Sequence, residues 1–521
     1  MKVGLDFGTT NSIISYFNKE ENAVVSHKLG GENASNYISS MVSIDEDEIL
    51  IGNSAKNAID SDTRETFAKF KILLETKDTN TLKEHGYVIK NPEEITKTYL
   101  EMLINQFEEE KRETVDSIVL TVPELWISDG FSSRTKIKKI LEELNKTPKL
   151  VSEPISAGAY FLFKYKKEKK KEFNGHILVF DYGGGTLDIA LLDTKDDHIK
   201  VLERVGKGRN DILTGSAGVA YDEKILDNVS WNKNGIKLSK NHKNYSQLLI
   251  DFENNKIKIP IDKRLSYYIK DNDLDGNNPL FTLTYINEMR EPILIDIFPS
   301  DMVKAFSSFK TEIESSLNRI DGYCKKNKID TLNSEIFRVI MVGGFSSFYL
   351  SKQAVRGFFN AKDDDERFES YFEKEDNALA ISKGATLIAE NLINIDETYP
   401  LTIRLLMKRK DKYGYLVDAP FTPFKKGDNI KSYNPIYLDS KITIAGEIIF
   451  EFDYEDGENI FKKRVEKNVK ELFPNYNQNN NKWKIGFSSD ENNFIYIHIE
   501  DKNHIKKRVE LGNFLNDMVR E

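Results

Sequence analysis

The chain has 521 residues, 39% hydrophobic and 31% charged, enough for a packed core and about two to four domains. Its formal net charge of −9 argues against a nucleic-acid binder, and its single cysteine, Cys324, excludes an internal disulfide framework or a multi-cysteine metal site. No apolar run long enough to span a membrane appears, so the expected partners include neither nucleic acid nor membrane, and the expected location is cytoplasmic.

The opening residues, MKVGLDFGTT, already read as a strand and a turn, and no signal peptide is expected before them. Lys2–Phe7 returns after Gly8-Thr9-Thr10-Asn11 as a second strand over 12–17. Its start, Asp6-Phe7-Gly8, is repeated by Asp181-Tyr182-Gly183 in a second hairpin, which suggests two related halves, each a sheet flanked by helices. Between the hairpins come a strand over 117–124, a helix over 135–146, a strand over 149–154 and an apolar helix over 155–163. The charged run KYKKEKKKE (164–172) reads as a solvated connector.

Beyond a mixed region, 222–305, a helix follows with Met302, Val303, Phe306, Phe309, Ile313 and Leu317 on one face. Cys324, near its end, reads as a packed thiol. The segment 338–347 is a strand entering a glycine turn, and 379–390 is a helix. After residue 390 helical periodicity fades, and alternating strands separated by Asn-rich turns such as NYNQNNNK (475–482) predict an all-β domain. The expected division is 1–390, a linker over 391–399, and a β-sandwich over 400–521.

The second hairpin turn, VFDYGGGTLDIALL (179–192), combines features that suit phosphate and metal. Gly183, Gly184 and Gly185 let a phosphate reach backbone N–H groups. Asp181 and Asp188, with Asp6 from the first hairpin, are suited to hold the waters of a Mg²⁺ that bridges phosphates. Thr9 and Thr10 offer hydroxyls and backbone donors from the other side of a cleft. A solvated tight loop accounts for the glycine cluster equally well when it is taken alone.

VGLDFGTTNS (3–12), VFDYGGGTLDIALL and VIMVGGFSS (339–347) resemble the two phosphate motifs and the adenosine motif of the actin-like ATPases. With LTVPE (120–124), VSEPISAGA (151–159) and IGNSAKNA (51–58), they are most similar to the seventy-kilodalton heat-shock chaperones, the DnaK family. The resemblance implies an α/β, two-lobed actin-like ATPase with ribonuclease H-like duplicated halves. It implies ATP/ADP and Mg²⁺ as cofactors, with Asp6, Asp181 and Asp188 holding the metal largely through water. Gly8, Thr9, Thr10 and Asn11 would meet the phosphates from one side, and Gly183, Gly184, Gly185 and Thr186 from the other, with Gly218 nearby. Lys56 would be the catalytic lysine, acting with Thr9, Glu153 and Asp181. Glu253 and Lys256, from FENNKIK (252–258), would touch adenine and ribose, and Gly343 and Gly344 would admit the nucleoside.

The sequence departs from the family where Phe345, Ser346 and Ser347 replace the Ser-Thr-Arg that carries an adenine-stacking arginine. Phe345 is expected either to offer another aromatic face or to be core. Arg134 is the nearest candidate for the arginine that answers Pro123. IGFSSDENNFIYIHIEDK (485–502) and DETYPLTIRLL (396–406) resemble the family's β-sandwich peptide-binding domain, and the helical lid is expected to be absent. The reading is a slow ATPase and chaperone that couples nucleotide state to the grip on an extended polypeptide client or a dedicated protein partner. A co-chaperone and a nucleotide-exchange factor are further expected partners. The alternatives are a nucleotide-gated binding or exchange-factor-like protein with little hydrolysis, and an actin-fold small-molecule kinase.

Overall fold

The computed structural model describes residues 1–510 apart from 31–33, 60, 62, 75, 77, 125, 127–131, 208–216, 236–237, 239–242, 259–260, 271–277, 288, 369–376, 397–398, 400–401, 426–427, 429–434, 440–441, 444–446, 457–458, 469–481, 491–493 and 501–505. Most of the Asn-rich stretch at 475–482 and the tail 513–521 lie outside the described residues. The backbone divides into two compact units. One comprises 1–124, 139–199 and 203–394, and the other 125–138, 200–202 and 395–521.

The first unit is a duplicated α/β structure. Its first sheet runs Ala23–Ser26, Asn11–Asn18, Lys2–Phe7, Ser117–Val122, Thr147–Ser152, and its second runs Phe337–Val342, Gly175–Tyr182, Leu187–Lys195 and those residues of His198–Lys207 that lie in this unit. In each sheet a hairpin is joined by a parallel strand on its first arm: Ser117–Val122 beside Lys2–Phe7, and Phe337–Val342 beside Gly175–Tyr182. The hairpin strands are almost wholly buried and Val/Ile/Leu-rich, as strands covered on both faces must be.

Two helices, Glu153–Lys169 and Ala380–Ala389, pack beside these sheets, and small residues permit the close approach. A Cβ on Gly384 would stand 1.6 Å from the Ser156 carbonyl oxygen, and one on Gly4 would stand 2.3 Å from the Ser382 carbonyl oxygen. The helix Glu153–Lys169 begins where Ser152 Oγ accepts from Ile155 N at 3.4 Å, with Pro154 in its first turn. It runs through most of the charged stretch expected as a connector, because the lysines and Glu168 lie on exposed turns that propagate from the buried ones. Cys324 is buried, as expected, on the helix Pro299–Lys326.

In the second unit, Phe421–Phe424, Thr402–Leu406, Glu447–Asp456 and Asn459–Asn468 form one sheet. Ile436–Tyr437, Lys482–Ser489, Ile495–Glu500 and Lys506–Glu510 form another. Their alternating residues share a core: Ile403, Leu405, Ile448 and Phe450 from the first, and Ile485, Phe487, Ile497 and Ile499 from the second. Phe450 and Phe487 meet at 6.3 Å between ring centroids, and burying each such side chain contributes about 1.5–3 kcal/mol. The fold class is therefore mixed α/β, an actin-like unit plus a β-sheet unit.

Candidate functional site

The two hairpin turns face one another. A Cβ on Gly184 would lie 2.5 Å from Thr10 Oγ1, and one on Gly185 would lie 2.4 Å from Thr9 Oγ1. Only glycine permits this approach of backbone to hydroxyl. Gly183 closes its own turn, its N–H donating to the Thr186 carbonyl at 3.2 Å. The next helix, Gly218–Asn234, docks on the same turn, Gly218 N donating to Gly183 O at 3.1 Å and Val219 N to Gly184 O at 2.8 Å. On the first hairpin, Ser40 braces the turn by donating from Oγ to Gly8 O at 2.7 Å and from N to Thr10 O at 2.8 Å. Asn11 pairs with Ser39 at the strand end.

Beneath the turns lie the carboxylates. Asp181 and Asp188 occupy directly opposed positions of the second hairpin, so their side chains share a face at roughly 5 Å. Asp6 is at the corresponding end of the first hairpin, and Glu153 is the first residue of its helix. All four are buried. Burial, then the charge of Glu153, raises Asp6 to about 7, against the pull of Lys71 and the Thr121 hydroxyl. Burial likewise holds Asp181 well above the ordinary carboxylate range, reinforced by Glu153, Asp188 and Asp6. Asp188 is raised for the same first reason, with Glu153 adding to it and Thr186 opposing it.

The cation that the described residues place with this cluster is Lys71, whose Nζ lies 2.6 Å from Glu153 Oε1 with both side chains buried. Sequence reasoning missed Lys71. It stands in FAKFKILL, where two lysines alternate with apolar residues, and that pattern alone does not say which one points inward. Its neighbour Lys69 instead pairs with buried Glu223. Lys56, expected in the catalytic role, is placed elsewhere: its Nζ lies 3.3 Å from Glu253 Oε2, both partly exposed. Position separates the two lysines: the helix Gly52–Asn57 carries Lys56 to Glu253, whereas Phe70–Leu73 carries Lys71 to the carboxylates.

A second buried ion pair also went unforeseen. Glu124 donates its backbone N–H to Asp188 Oδ1 at 2.7 Å, while its Oε1 accepts from Arg204 Nη1 at 2.7 Å. Three residues earlier, Thr121 Oγ1 donates to Asp6 Oδ1 at 3.2 Å. The single segment 121–124 thus braces carboxylates from both halves.

The adenosine end differs from expectation. Gly343, at φ +84°, closes on Asp181 and leads into the 3₁₀ turn Gly344–Ser347. Phe345 is only 4% exposed, its ring packed by Tyr182, Tyr221 and Phe348 at 4.8, 5.1 and 5.5 Å. Phe345 is therefore buried in an aromatic cluster, with the Lys256 ammonium 5.5 Å from its ring centroid. Lys256 is held by buried Asp222, at 2.6 and 2.7 Å from its two oxygens, with burial raising Asp222 to about 6.

Among the described residues no three His, Cys, Asp or Glu side chains close on a point as direct metal ligands. The donor set nevertheless fits a hydrated magnesium ion. Several carboxylates are buried together, Lys71 is paired with one of them, Glu153, and Asp188 Oδ2 is buried without a protein partner. Such a cluster favours either protons or a dication.

The family model described as Hsp70 protein matches residues 2–89 and 74–294, together more than half of the chain. The chain is similar to the chaperone protein DnaK of Mycoplasmopsis agalactiae, 29% identical over 369 residues, 69% of this chain and 55% of that protein. It is also similar to the DnaK of Ureaplasma urealyticum, 32% identical over 205 residues, 39% of this chain and 32% of that protein. The matches thus span 55% of the first of these relatives and 32% of the second.

Proposed function

The chain belongs to the Hsp70 family, and from that premise we propose that it is a cytoplasmic, slow, magnesium-dependent ATPase whose nucleotide state governs the grip of its β-sheet unit on an extended polypeptide. The observation that carries this reading is the pair of glycine and threonine turns meeting above a buried carboxylate cluster that Lys71 joins. Backbone N–H groups of the two turns would cradle phosphates, with Thr9 and Thr10 on one side and Gly183, Gly184 and Gly185 on the other. Asp6, Asp181 and Asp188 would hold magnesium through its waters, with Glu153 beside them. Magnesium, when bound, neutralises phosphate charge. Lys71 would orient the attacking water and offset charge developing on the terminal phosphoryl oxygens.

Gly218 would back the phosphate turn. Gly343 and Gly344 would admit the nucleoside, and Glu253 and Lys256 lie on the helix expected to border it. The domain division proposed with this reading is an ATPase over 1–390, a linker over 391–399 and a β-sandwich over 400–521. A polypeptide client or dedicated partner, a co-chaperone and an exchange factor belong to the same reading.

The reading is tested by steady-state hydrolysis of ATP with Mg²⁺, with and without extended apolar peptides. Slow turnover accelerated by peptide and abolished by Lys71→Ala supports it, and turnover indifferent to both sinks it. The burial of Phe345 and the engagement of Lys256 by Asp222 favour a second reading, a nucleotide-gated binder. Tight nucleotide binding with no turnover would identify that binder.

A further inference from the structure

Glu124 holds Asp188 with a backbone group that the sheet does not itself secure. Strand Ser117–Val122 pairs with Thr147–Ser152 as far as Val122↔Ser152. Pro123 follows and has no N–H, so Glu124 lies beyond the ladder. Its N–H nevertheless donates to Asp188 Oδ1 at 2.7 Å. The side chain of Glu124 is what ties this residue down. It is 0% exposed, and its Oε1 accepts from Nη1 of Arg204, itself only 9% exposed, at 2.7 Å.

The two partners of Glu124 stand on neighbouring strands. Asp188 is on Leu187–Lys195, and Arg204 is on the strand beside it, in the part of His198–Lys207 that belongs to the first unit. Glu124 therefore bridges adjacent strands of the second sheet, its backbone on one and its carboxylate on the other. The bridge engages one Asp188 oxygen and leaves the other free, since Oδ2 is buried without a protein partner. An oxygen in that state suits a water of hydrated magnesium. Separating Glu124 from Arg204 would strand a buried charge, so the pair fixes the place of residue 124 more narrowly than apolar packing does.

We propose that Glu124 and Arg204 are positioning residues for the magnesium site: Arg204 anchors the Glu124 side chain, which keeps the Glu124 N–H on Asp188 Oδ1 and so reserves Asp188 Oδ2 for a water of the metal. Removing such an outer partner typically weakens metal binding by about 10- to 100-fold. The adjacent residue, Glu203, points to the opposite face of the strand and accepts from Arg319 Nη2 at 2.9 Å. That second pair supplies a structural control.

This inference rests on the magnesium and nucleotide half of the reading above. The test is the affinity of the full chain for a fluorescently labelled ADP, read by anisotropy with Mg²⁺ and with EDTA, beside the thermal midpoint of each variant. Glu124→Ala/Arg204→Met removes both charges together and keeps the N–H of position 124, so no buried charge is stranded. Its gain in ADP affinity from Mg²⁺ should be smaller than that of the unaltered chain by about tenfold or more. Arg319→Met should lower the thermal midpoint and keep the gain. Where the double variant does not fold, Glu124→Gln, which keeps the shape of the side chain, is set against Arg319→Met: loss of the gain in the first alone supports the anchor. An undiminished gain, or an equal loss in Arg319→Met, overturns the positioning role and leaves the nucleotide reading intact. No magnesium gain in the unaltered chain overturns that reading and this inference together.

Discussion

The Lys71 ammonium and the Glu153 carboxylate lie 2.6 Å apart with both side chains withdrawn from water, and both charges act on the buried carboxylates Asp6 and Asp181. Removing one partner of such a pair strands a charge, at a cost of about 3–5 kcal/mol. Lys71→Met should therefore lower the thermal midpoint and remove at least about a hundredfold of ATP turnover. Lys56→Met, whose partner Glu253 is part-exposed, should cost about 1 kcal/mol or less and leave measurable turnover. Parallel melts and turnover assays of the two variants decide between the lysines. Equal loss in both would return Lys56 to the catalytic role.

The carboxylates make stability fall with pH. Asp6 is raised from 3.8 to about 7 and Asp222 from 3.8 to about 6, so the folded chain binds more protons than the unfolded one between these values. Their contribution is complete below pH 4 and is lost as pH rises through 6 and 7. Thermal midpoints without magnesium should decline across that window. Mg²⁺ with ADP should raise the midpoint more at pH 8 than at pH 5.5, because metal and protons compete for the same oxygens. A magnesium effect independent of pH would contradict this.

Gly184→Ala would set a methyl 2.5 Å from Thr10 Oγ1. Overpacking of this kind costs about 1–3 kcal/mol. Because the clash is with a hydroxyl, Thr10→Ala should recover most of the loss in the double variant, a coupling that urea melts would measure. Additive losses would mean that the two turns do not meet as described.

No side chain can relieve the contact at Gly384. A Cβ there would stand 1.6 Å from the Ser156 carbonyl, which is backbone. Gly384→Ala should destabilise the chain by more than about 3 kcal/mol. Gly357→Ala, also helical but with nothing within 4 Å of the added methyl, should be neutral or stabilising by about 0.5–1 kcal/mol. Soluble yield and melts of the two proteins form the comparison.

The hairpins were legible because their causes are local. Asp6 with Gly8 and Asp181 with Gly183 are a few residues apart, and the opposition of Asp181 and Asp188 follows from a short turn and the two-residue period of a strand. Alternation likewise announced the strands Lys482–Ser489 and Ile495–Glu500. The antiparallel pair Lys408–Lys410 and Leu416–Asp418 escaped notice since lysines and tyrosines on both faces leave no apolar period to read.

What local pattern did not contain is which distant residue arrives at the cluster. Lys71 and Glu153 are 82 positions apart, Glu124 and Arg204 are 80, and Ser15 reaches Ser382 across 367. Lys56, Lys69 and Lys71 are the same chemical group in neighbouring short segments, and only the path of the chain through three dimensions sends one to the carboxylates, one to Glu223 and one to Glu253. Phe345 was open between ligand face and core in the sequence, and only the folded chain sets Tyr182, Tyr221 and Phe348 around it. Sequence by itself determined the strand pairs, the turns and the acids they carry, because hydrogen-bond register and backbone freedom act over a few residues. Tertiary structure alone decided which cations meet those acids, because burial and charge act through space between segments that the sequence keeps far apart.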